Sequence, residues 1–500
     1  MNLATTLAEQ AERGGWSDRV AYAGPAGTVS HGQVHRGAAQ AAAVLAELGV
    51  ARGDRVLIAL EDSVEFVWSF LASLWLGAIA VPVDPELPPG DHASSLAHAE
   101  PRVVVCAREL VDRFQEAAAT LAPATLTGEM AGAASVPAAA VGGEAPAYGQ
   151  YTAGTTGRPK LALHRHDDPL VYHRTAGSGA FGIGPDDVLL SASRMHVAFG
   201  LGNSVFFPLL SGACALLHPG GAQPGAVAET AARRQPTLLF AVPTFYARLL
   251  EALPASPLTA LRAAVSAGEP LTPALAGRIR RWAGCPVLDT LVSTEVGHAF
   301  CANTPAAARD GTLGRALEGY EVRIADAAGR DLPEGTQGLL WVRGPTLLID
   351  YWNEPEATAR ALTGGWLRTG DLATLDGEGF IRHHGRADDV ELVRGIAVSA
   401  LEVERALAAH IGVAEVAVAA VRDELGASSL HAFVVPTDPA KAGAALGDSV
   451  VALARERLAS HKVPQAVTFV PELPRTPHGR LRRFLLREGG VEPLAAGRPG

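Results

Sequence analysis

The sequence predicts an α/β fold with a large N-terminal domain of α/β sheets plus a β-rich subdomain, and a small α+β C-terminal domain. Helix-like and strand-like segments alternate over residues 1–300, short strands with turns follow, and residues 390–500 mix both patterns. Such alternation is typical of parallel sheets covered by helices. The predicted division is residues 1–385, a hinge at 386–389 and residues 390–500, and a chain of 500 residues is long enough for it.

The first alternation lies in residues 1–110. The stretch HGQVHRGAAQAAAVLAELGV has helical spacing and stops at Gly49, and DRVLIAL and PRVVVCA are short β-rich runs. The uncharged run from Phe66 to Val83 approaches the length of a membrane span, but Gly77 interrupts it. We interpret it as a buried helix, a stop at Gly77 and a buried strand. Residues 116–149, rich in Ala, Pro and Gly, predict a variable connection.

The alternation resumes between residues 160 and 300. The predicted strands are DDVLLSAS, GACALLHP, PTLLFAVP, LRAAVSAG and CPVLDTLVS, with helices such as LTPALAGRIRRWAG between them. Several strands end in small or polar residues, which is where open α/β sheets bind ligands. The stretch YEVRIADAAGRDLPEGTQGLLWVRG predicts the β-rich subdomain, and GEGFIRHHGRADD a boundary. The helix SALEVERALAAH and the strands VAEVAVAAV and LHAFVVP predict the C-terminal unit.

Composition argues against several classes of partner. The net charge of -10 gives no general basic field, so nucleic acid and anionic membrane are not expected as main partners. Cys106, Cys214, Cys285 and Cys301 form no CxxC pair, which favours buried free thiols in a reducing cytoplasm. The start, MNLATTLAEQAERGG, lacks the pattern of a signal peptide. A cytoplasmic location is therefore expected.

The stretch YTAGTTGRPK, from Tyr151 to Lys160, predicts a phosphate-binding loop. Its glycines and threonines offer backbone N–H groups and hydroxyls, and Lys160 adds an ammonium. The chain has only three lysines, the others being Lys441 and Lys462. A lysine retained where arginine dominates is a weak indication of a chemical role.

Four further motifs follow in order: SAGEP (266–270), STE (293–295), RTGD (368–371) and GRADD (385–389). With the loop they resemble the adenylate-forming acyl-CoA ligase superfamily, which includes acyl- and aryl-CoA synthetases, peptide-synthetase adenylation domains and luciferase. The similarity runs over nearly the whole chain. It implies an AMP-forming enzyme that uses ATP and Mg²⁺.

The resemblance also implies roles for individual residues. Lys160 would be the cation for the leaving pyrophosphate, Thr294 would contact the α-phosphate, Glu295 would bind Mg²⁺, and Asp388 would be the hinge about which the C-terminal domain rotates between an adenylating and a thioester-forming pose. Asp371 would accept both ribose hydroxyls, joined by Arg386. The residues implied to bind the nucleotide are Thr152, Gly154, Thr155, Thr156, Gly157, Ala267, Gly268, Glu269, Asp289, Asp371 and Arg386.

The substrate class is implied by two longer stretches. SRMHVAFGLGNSVFFPLLSGA and VSAGEPLTPALAGRIRRWAGCPVLDTLVSTEVGHAF resemble the benzoate-CoA ligase branch, which implies a small aromatic acid. His196 matches the family's gate position. The residues implied to approach the acceptor pocket are Ala198, Phe199, Gly200, Leu291, Val292 and His298. The alternative for His196 and His298 is an ordinary place in the core.

The chain departs from the family in the segment ELPRTPHGRLRRFLLR, where Arg480 takes the position of a catalytic lysine. A guanidinium is longer and planar, so it does not replace a point cation conservatively. Leu392 stands where the branch usually has a lysine, and Val292 replaces a glycine beside the substrate ring.

These departures leave several activities open. The preferred prediction is adenylation of an aromatic acid followed by thioester formation on CoA. One alternative is a diazotase that activates nitrite and diazotises an aromatic amine, releasing AMP and pyrophosphate. Others are an enzyme that loads a carrier protein and an inactive ATP-binding homologue. The oligomeric state is open, a homodimer included.

Overall fold

A computed structural model describes residues 1–117, 119–134, 136–152, 159–218, 223–253, 256, 258–387, 390–393, 396–422, 428–475 and 481–494. In chain order the strands are β1 (Val20–Gly24), β2 (Gly27–Ser30), β3 (Arg55–Ala59), β4 (Ile79–Pro82), β5 (Val103–Cys106), β6 (Thr120–Leu121), β7 (Pro146–Tyr151), β8 (Leu161–Arg165), β9 (Val188–Ser191), β10 (Cys214–Leu216), β11 (Leu238–Ala241), β12 (Ala263–Ser266), β13 (Val287–Val292), β14 (Ala299–Ala302), β15 (Arg315–Ala316), β16 (Glu321–Ala325), β17 (Gly338–Arg343), β18 (Leu362–Thr363), β19 (Trp366–Leu375), β20 (Ile381–Arg386), β21 (Val390–Val393), β22 (Ile396–Ser399), β23 (Val413–Arg422), β24 (Ser428–Pro436) and β25 (Ala466–Phe469).

The α-helices are α1 (Leu3–Arg13), α2 (His31–Glu47), α3 (Val64–Trp75), α4 (Pro89–Ala99), α5 (Pro123–Met130), α6 (Asp168–Tyr172), α7 (Ala198–Leu201), α8 (Phe207–Ser211), α9 (Pro224–Arg234), α10 (Pro243–Ala252), α11 (Pro273–Ala283), α12 (Pro355–Ala361), α13 (Ala400–Leu407), α14 (Ala444–Arg457) and α15 (Arg483–Arg487). Two π-helical segments, His173–Ala180 and Gly202–Phe206, continue helices α6 and α7.

One sheet has the strand order β6-β5-β3-β4-β7-β8 and is parallel except for the antiparallel pair β7 and β8. Its strands are continuous apolar runs because helices such as α3 cover them. Between α3 and β4 the chain turns at Gly77, whose φ of 67° suits glycine. The interpretation of Phe66 to Val83 as helix, stop and strand is therefore confirmed. Among the described residues, no helix is long and apolar enough to cross a membrane.

A second sheet has the order β15-β14-β13-β12-β11-β9-β10-β1-β2. Strands β9 to β13 and β1 run parallel, so the carboxyl ends of β11, β12 and β13 lie at one edge. The predicted SAGEP and STE motifs begin at the ends of β12 and β13. The predicted strands of residues 160–300 are all present. This edge is consequently where the sheet can present a nucleotide site.

Strands β16 to β20 form a mainly antiparallel sheet, which agrees with the predicted β-rich subdomain. The C-terminal part contains the hairpin β21-β22, the sheet β23-β24-β25 and the helix α13 predicted at SALEVERALAAH. Val398, Val403 and Leu407 are among the residues of its own buried core. The domain limits and the hinge stay predictions, and Asp388 lies outside the described residues.

The prediction of a variable connection over residues 116–149 was wrong in part. Strand β6 extends the first sheet beside β5, and α5 packs on α2. Leu126 and Met130 are four residues apart, lie on one helix face and are buried. The high alanine content concealed this short amphipathic pattern. The four cysteines are free, and all except the half-buried Cys214 are buried.

Candidate active site

The hairpin of β7 and β8 holds the two ends of the predicted phosphate loop together. The backbone N–H of Thr152 donates to the Lys160 carbonyl at 2.8 Å, and the Lys160 N–H donates to the Thr152 hydroxyl at 3.4 Å. Gly154, Thr155, Thr156 and Gly157 lie outside the described residues. Lys160 is thus fixed at the foot of the loop, with its Nζ 4.6 Å from the centroid of the Tyr351 ring.

Glu295 follows β13 in a tight turn. Its carboxylate accepts a hydrogen bond from the Tyr351 hydroxyl at 2.8 Å and another from the Ser293 hydroxyl at 2.7 Å. Burial and the neighbouring carboxylate raise the pKa of Tyr351, so its hydroxyl remains a donor. Tyr351 therefore joins the loop lysine to the carboxylate implied to bind Mg²⁺.

The donor set at Glu295 fits a magnesium ion. Each carboxylate oxygen accepts one hydrogen bond and keeps a further lone pair, and the residue is only half-buried. No group of three or more His, Cys, Asp or Glu side chains within the described ranges makes a metal cage. Mg²⁺ commonly needs only one or two carboxylates besides substrate phosphates and water. Glu295 would hold the ion beside the phosphates.

A buried network of polar side chains holds the backbone carbonyl of Thr294. His164 Nε2 donates to the Thr294 carbonyl at 2.8 Å, since a carbonyl can only accept. On its other side, His164 Nδ1 lies 3.2 Å from both Asp168 Oδ2 and the Tyr172 hydroxyl. The backbone of the STE motif is consequently anchored to β8 and α6.

The predicted adenine segment occupies the turn after β12. Gly268 has a φ of 86°, a left-handed conformation that favours glycine. The Glu269 carboxylate accepts bonds from the Thr244 backbone N–H and hydroxyl, both at 2.9 Å, and lies 3.5 Å from Arg475. Burial raises the pKa of Glu269, while Arg475 opposes this. Its carboxylate is therefore already bonded to protein groups.

Two other predicted nucleotide-binding residues, Ala267 and Asp289, lie on or directly after the neighbouring strands β12 and β13. Ala267 is buried in the same turn, and Asp289 on β13 is buried with one carboxylate oxygen unpartnered among the described residues. Burial raises the pKa of Asp289 well above its usual range. An unpartnered buried acceptor is costly, so a ligand donor at this position would be favourable.

The predicted ribose-binding pair is assembled between β19 and β20. The Asp371 carboxylate lies 3.5 Å from Nη1 of Arg386 and 3.1 Å from Nε2 of His383. Burial alone would raise the pKa of Asp371, but Arg386 and His383 outweigh it and lower the pKa below its usual range. The aspartate is therefore an ionised acceptor.

The residues implied to approach the acceptor come together at β13, β14 and α7. Leu291 and Val292 end β13, and a register shift lies between them where β13 pairs with β14. His298 immediately precedes β14, and its backbone carbonyl accepts from Ser293 N–H at 3.4 Å. Ala198, Phe199 and Gly200 form the buried helix α7. A single turn thus separates the residues implied to approach the acceptor from Thr294 and Glu295, which are implied to act on the phosphates.

His298 is fully buried among aromatic rings. Its ring centroid lies 4.7 Å from that of Phe207, 5.8 Å from that of Phe199 and 6.3 Å from that of Tyr172. Burial lowers its pKa to about 3, with the Phe199 backbone opposing the shift in part. No group among the described residues forms a hydrogen bond of ordinary length and angle with either ring nitrogen. The side chain is therefore a neutral imidazole.

His196, at the predicted gate, lies in the segment between β9 and α7. Its Nε2 is 3.8 Å from Oδ2 of Asp84, and both side chains are buried. Asp62 is close in the same region, where its Oδ1 accepts from the Met195 N–H at 2.9 Å, and burial raises its pKa to about 6. Asp62 and Asp84 follow β3 and β4, so both carboxylates come from the carboxyl ends of strands in the first sheet.

The C-terminal part reaches the site through Arg475. This guanidinium contacts Glu269 at 3.5 Å and Glu415 at 2.9 Å, and Glu415 also pairs with Arg248 at 3.3 Å. Arg480 lies outside the described residues.

The sequence reasoning missed the residues that orient the site. Tyr351, Ser293 and His164 hold Glu295 and Thr294, and Arg475 links the two parts of the chain. Ser293 and Arg475 lay within quoted motifs, whereas nothing in the sequence pattern marked Tyr351 or His164. Their contacts join segments that are distant along the chain.

Comparisons with known proteins give the family. Residues 7–352 match the model of the AMP-binding enzyme family, and residues 402–480 match that of the AMP-binding enzyme C-terminal domain. A p-hydroxybenzoic acid–AMP ligase, FadD22, of Mycobacterium tuberculosis is 43% identical over 97% of this chain and 69% of that protein.

Two further relatives are enzymes named for CoA ligation. A 4-hydroxybenzoate–CoA/benzoate–CoA ligase of Rhodopseudomonas palustris is 34% identical over 98% of this chain and 95% of that protein. The solved structure of a benzoate CoA ligase from Burkholderia xenovorans LB400 has a TM-score of 0.90 and 32% identity, covering 97% of this chain and all of the other. The chain therefore belongs to the AMP-binding, adenylate-forming enzyme family, in its benzoate and aryl-acid ligase branch, and is an ATP-dependent, AMP-forming ligase.

Proposed function

We propose that the chain uses Mg·ATP to adenylate an aromatic carboxylic acid and then passes the aroyl group to the thiol of CoA. The main support is the turn between β13 and β14. Within eight residues it carries Leu291, Val292 and His298, which the resemblance implies at the acceptor pocket, and Thr294 and Glu295, which it implies at the phosphates. A bound acid and the α-phosphate would meet at this turn.

In the first step an oxygen of the carboxylate attacks the α-phosphorus of ATP. The bond from this phosphorus to the oxygen bridging to the β-phosphate breaks, and pyrophosphate leaves with both electrons of that bond. Lys160 and Thr152 stand at the foot of the loop that would hold the phosphates. Mg²⁺ held by Glu295 would neutralise charge on the phosphate oxygens.

In the second step the sulfur of a thiolate attacks the carbonyl carbon of the aroyl adenylate. The bond from this carbon to the adenylate oxygen breaks, and AMP leaves with that oxygen. The relatives named for CoA ligation favour CoA as the acceptor, whereas the relative named as an AMP ligase specifies no thiol. We therefore propose CoA, rather than a carrier protein, as the acceptor of the aroyl group.

The named aromatic-acid ligases give no support to the diazotase alternative. Domain rotation about Asp388, and Arg480 as the cation near the attacking carboxylate, remain parts of the proposal drawn from the resemblance. The contact of Arg475 with Glu269 supports an adenylating arrangement, because it brings the C-terminal segment to the nucleotide side of the site.

The proposal is tested by measuring AMP and pyrophosphate release from Mg·ATP with a panel of aromatic acids, each with and without CoA. A parallel reaction contains nitrite and an aminoaryl acid. We expect acid-dependent AMP release and an aroyl-CoA product. AMP release that needs nitrite would establish the diazotase instead, and ATP binding without pyrophosphate release in any mixture would contradict ligase activity. Acyl transfer to a phosphopantetheinyl carrier protein but not to CoA would overturn the choice of acceptor.

A further inference from the structure

A cavity of about 370 Å³ lies beside the end of β8, outside the candidate active site. His164 and Arg165 are adjacent on this strand, so their side chains point to opposite faces of the sheet. His164 faces the STE motif, where its Nε2 donates to the Thr294 carbonyl, whereas Arg165 lines the cavity. Strand β8 therefore separates the cavity from the catalytic turn.

The cavity has the size and the lining of a site for a small molecule. Its volume lies in the range of roughly 300–1,000 Å³ that is usual for ligand pockets, which combine apolar side chains with few polar ones. Of the described residues that line it, Arg165 alone is charged. The aliphatic side chains around it are Pro345, Leu347, Leu348, Ile349 and Leu362. A ligand with an apolar body and one anionic group would match these walls.

Arg165 has a donor nitrogen that can bind such a ligand. Its Nη1 donates to the Leu347 carbonyl at 2.7 Å, and its Nε lies 2.8 Å from Oε2 of Glu144. No described residue accepts a hydrogen bond from Nη2. The Glu144 side chain is 84% exposed, so this ion pair is screened by water and contributes little. A carboxylate matches the remaining donor because guanidinium and carboxylate groups are planar and oppositely charged.

The wall of the cavity is hydrogen-bonded to the catalytic turn. Arg165 holds the Leu347 carbonyl, and the backbone N–H of the next residue, Leu348, donates to the Glu295 carbonyl at 2.7 Å. A ligand bound by Arg165 is therefore two hydrogen bonds away from the backbone of Glu295.

We propose that this cavity is a second, non-catalytic site that binds a small carboxylic acid with an apolar body. The carboxylate accepts a hydrogen bond from Nη2 of Arg165, and the apolar body lies against Leu347 and Leu362. A single negative charge suits the cavity because it offers one guanidinium, whose charge Glu144 already balances in part. The inference concerns binding alone and does not depend on the reaction proposed for the catalytic site.

The test titrates the 500-residue chain with hexanoate and follows binding by ligand-observed NMR. The catalytic site is first filled with a non-hydrolysable aroyl-sulfamoyl adenosine, so that only binding elsewhere remains. We expect hexanoate to bind with a Kd of about 1 mM, which is ordinary for so small a ligand. Hexanamide has the same apolar body without the charge, so it should bind at least ~10-fold more weakly.

A variant and a matched control assign the binding to Arg165. Arg165→Met keeps most of the length of the side chain and removes the guanidinium, so the Kd for hexanoate should rise at least ~10-fold. Arg330→Met is the control, because Arg330 is an exposed arginine that pairs with Asp326 at 2.8 Å and does not line the cavity. It makes the same change in net charge and should leave the Kd within ~2-fold of the wild-type value.

The two probes can overturn the inference on the wild-type chain alone, so the test does not depend on a variant folding. No hexanoate binding, or equal binding of hexanoate and hexanamide, would refute it. Binding that disappears when the adenylate analogue is present would place the acid in the catalytic site and refute it too, as would an unchanged Kd in folded Arg165→Met. If no aromatic acid releases AMP, the proposed function fails and this inference stands or falls on the Arg165 result.

Discussion

Replacing Tyr351 by phenylalanine tests how the site positions its carboxylate. The Tyr351 hydroxyl donates to Glu295 at 2.8 Å, while its ring lies under Lys160. Tyr351→Phe removes the hydrogen bond and retains the ring, so Lys160 keeps its cation–π contact. The fold should be retained, because the buried ring continues to fill its space.

The expected size of the effect follows from the charge and exposure of Glu295. A hydrogen bond to a charged group contributes about 1.5–3 kcal/mol, and the half-buried Glu295 favours the lower end because water can replace the donor. About 1.5 kcal/mol corresponds to roughly a tenfold fall in kcat/KM for ATP. Tyr351→Leu also removes the ring from beneath Lys160, which should cost a further ~2- to 5-fold.

The assay is acid-dependent pyrophosphate release at varied ATP and Mg²⁺ concentrations. We expect Tyr351→Phe to raise the Mg²⁺ concentration needed for half-maximal rate, because the carboxylate is less well oriented. Tyr22→Phe is the control, since it removes a buried hydroxyl that donates to the Ser204 carbonyl rather than to a carboxylate. Wild-type kcat/KM and wild-type Mg²⁺ dependence in Tyr351→Phe would refute the role given to this tyrosine.

Three more predictions concern the link between the two parts, pH and the C-terminal cation. Glu415→Gln removes a carboxylate that pairs with Arg475, so adenylation should slow by ~2- to 5-fold while thioester formation from preformed adenylate changes less; equal losses would contradict this. Burial lowers the pKa of His166 to about 4 and of His298 to about 3, so the unfolded chain binds more protons below about pH 6.5. Each should therefore remove about 1 kcal/mol from the free energy of unfolding between pH 7 and pH 5.5, and urea titrations with no such fall would refute it. Arg480→Lys should raise the adenylation rate if a point cation suits the attacking carboxylate better, whereas a lower rate in a folded variant would mean that the guanidinium is adapted to this substrate.

Much of the fold follows from local sequence pattern. Gly77 separates α3 from β4 because its φ of 67° favours glycine, and the apolar runs on either side are continuous because both are buried. The motifs SAGEP and STE lie at the ends of neighbouring parallel strands, as the alternation of helices and strands predicts. The short helix α5 was missed because alanine carries little periodic signal.

The contacts that orient the side chains of the site are harder to predict from the sequence. Tyr351 bonds Glu295 from 56 residues away along the chain, and Arg475 reaches Glu269 over a separation of 206 residues. The residue types give no indication of either pairing.

The most direct test of the central claim follows an oxygen atom. The enzyme is incubated with Mg·ATP and an aromatic acid whose carboxylate carries the heavy oxygen isotope, and the AMP released after thiol transfer is analysed by mass spectrometry. Attack of the carboxylate on the α-phosphorus predicts AMP that carries one heavy oxygen from the acid. Unlabelled AMP, or release of ADP and phosphate, would contradict adenylation of the acid.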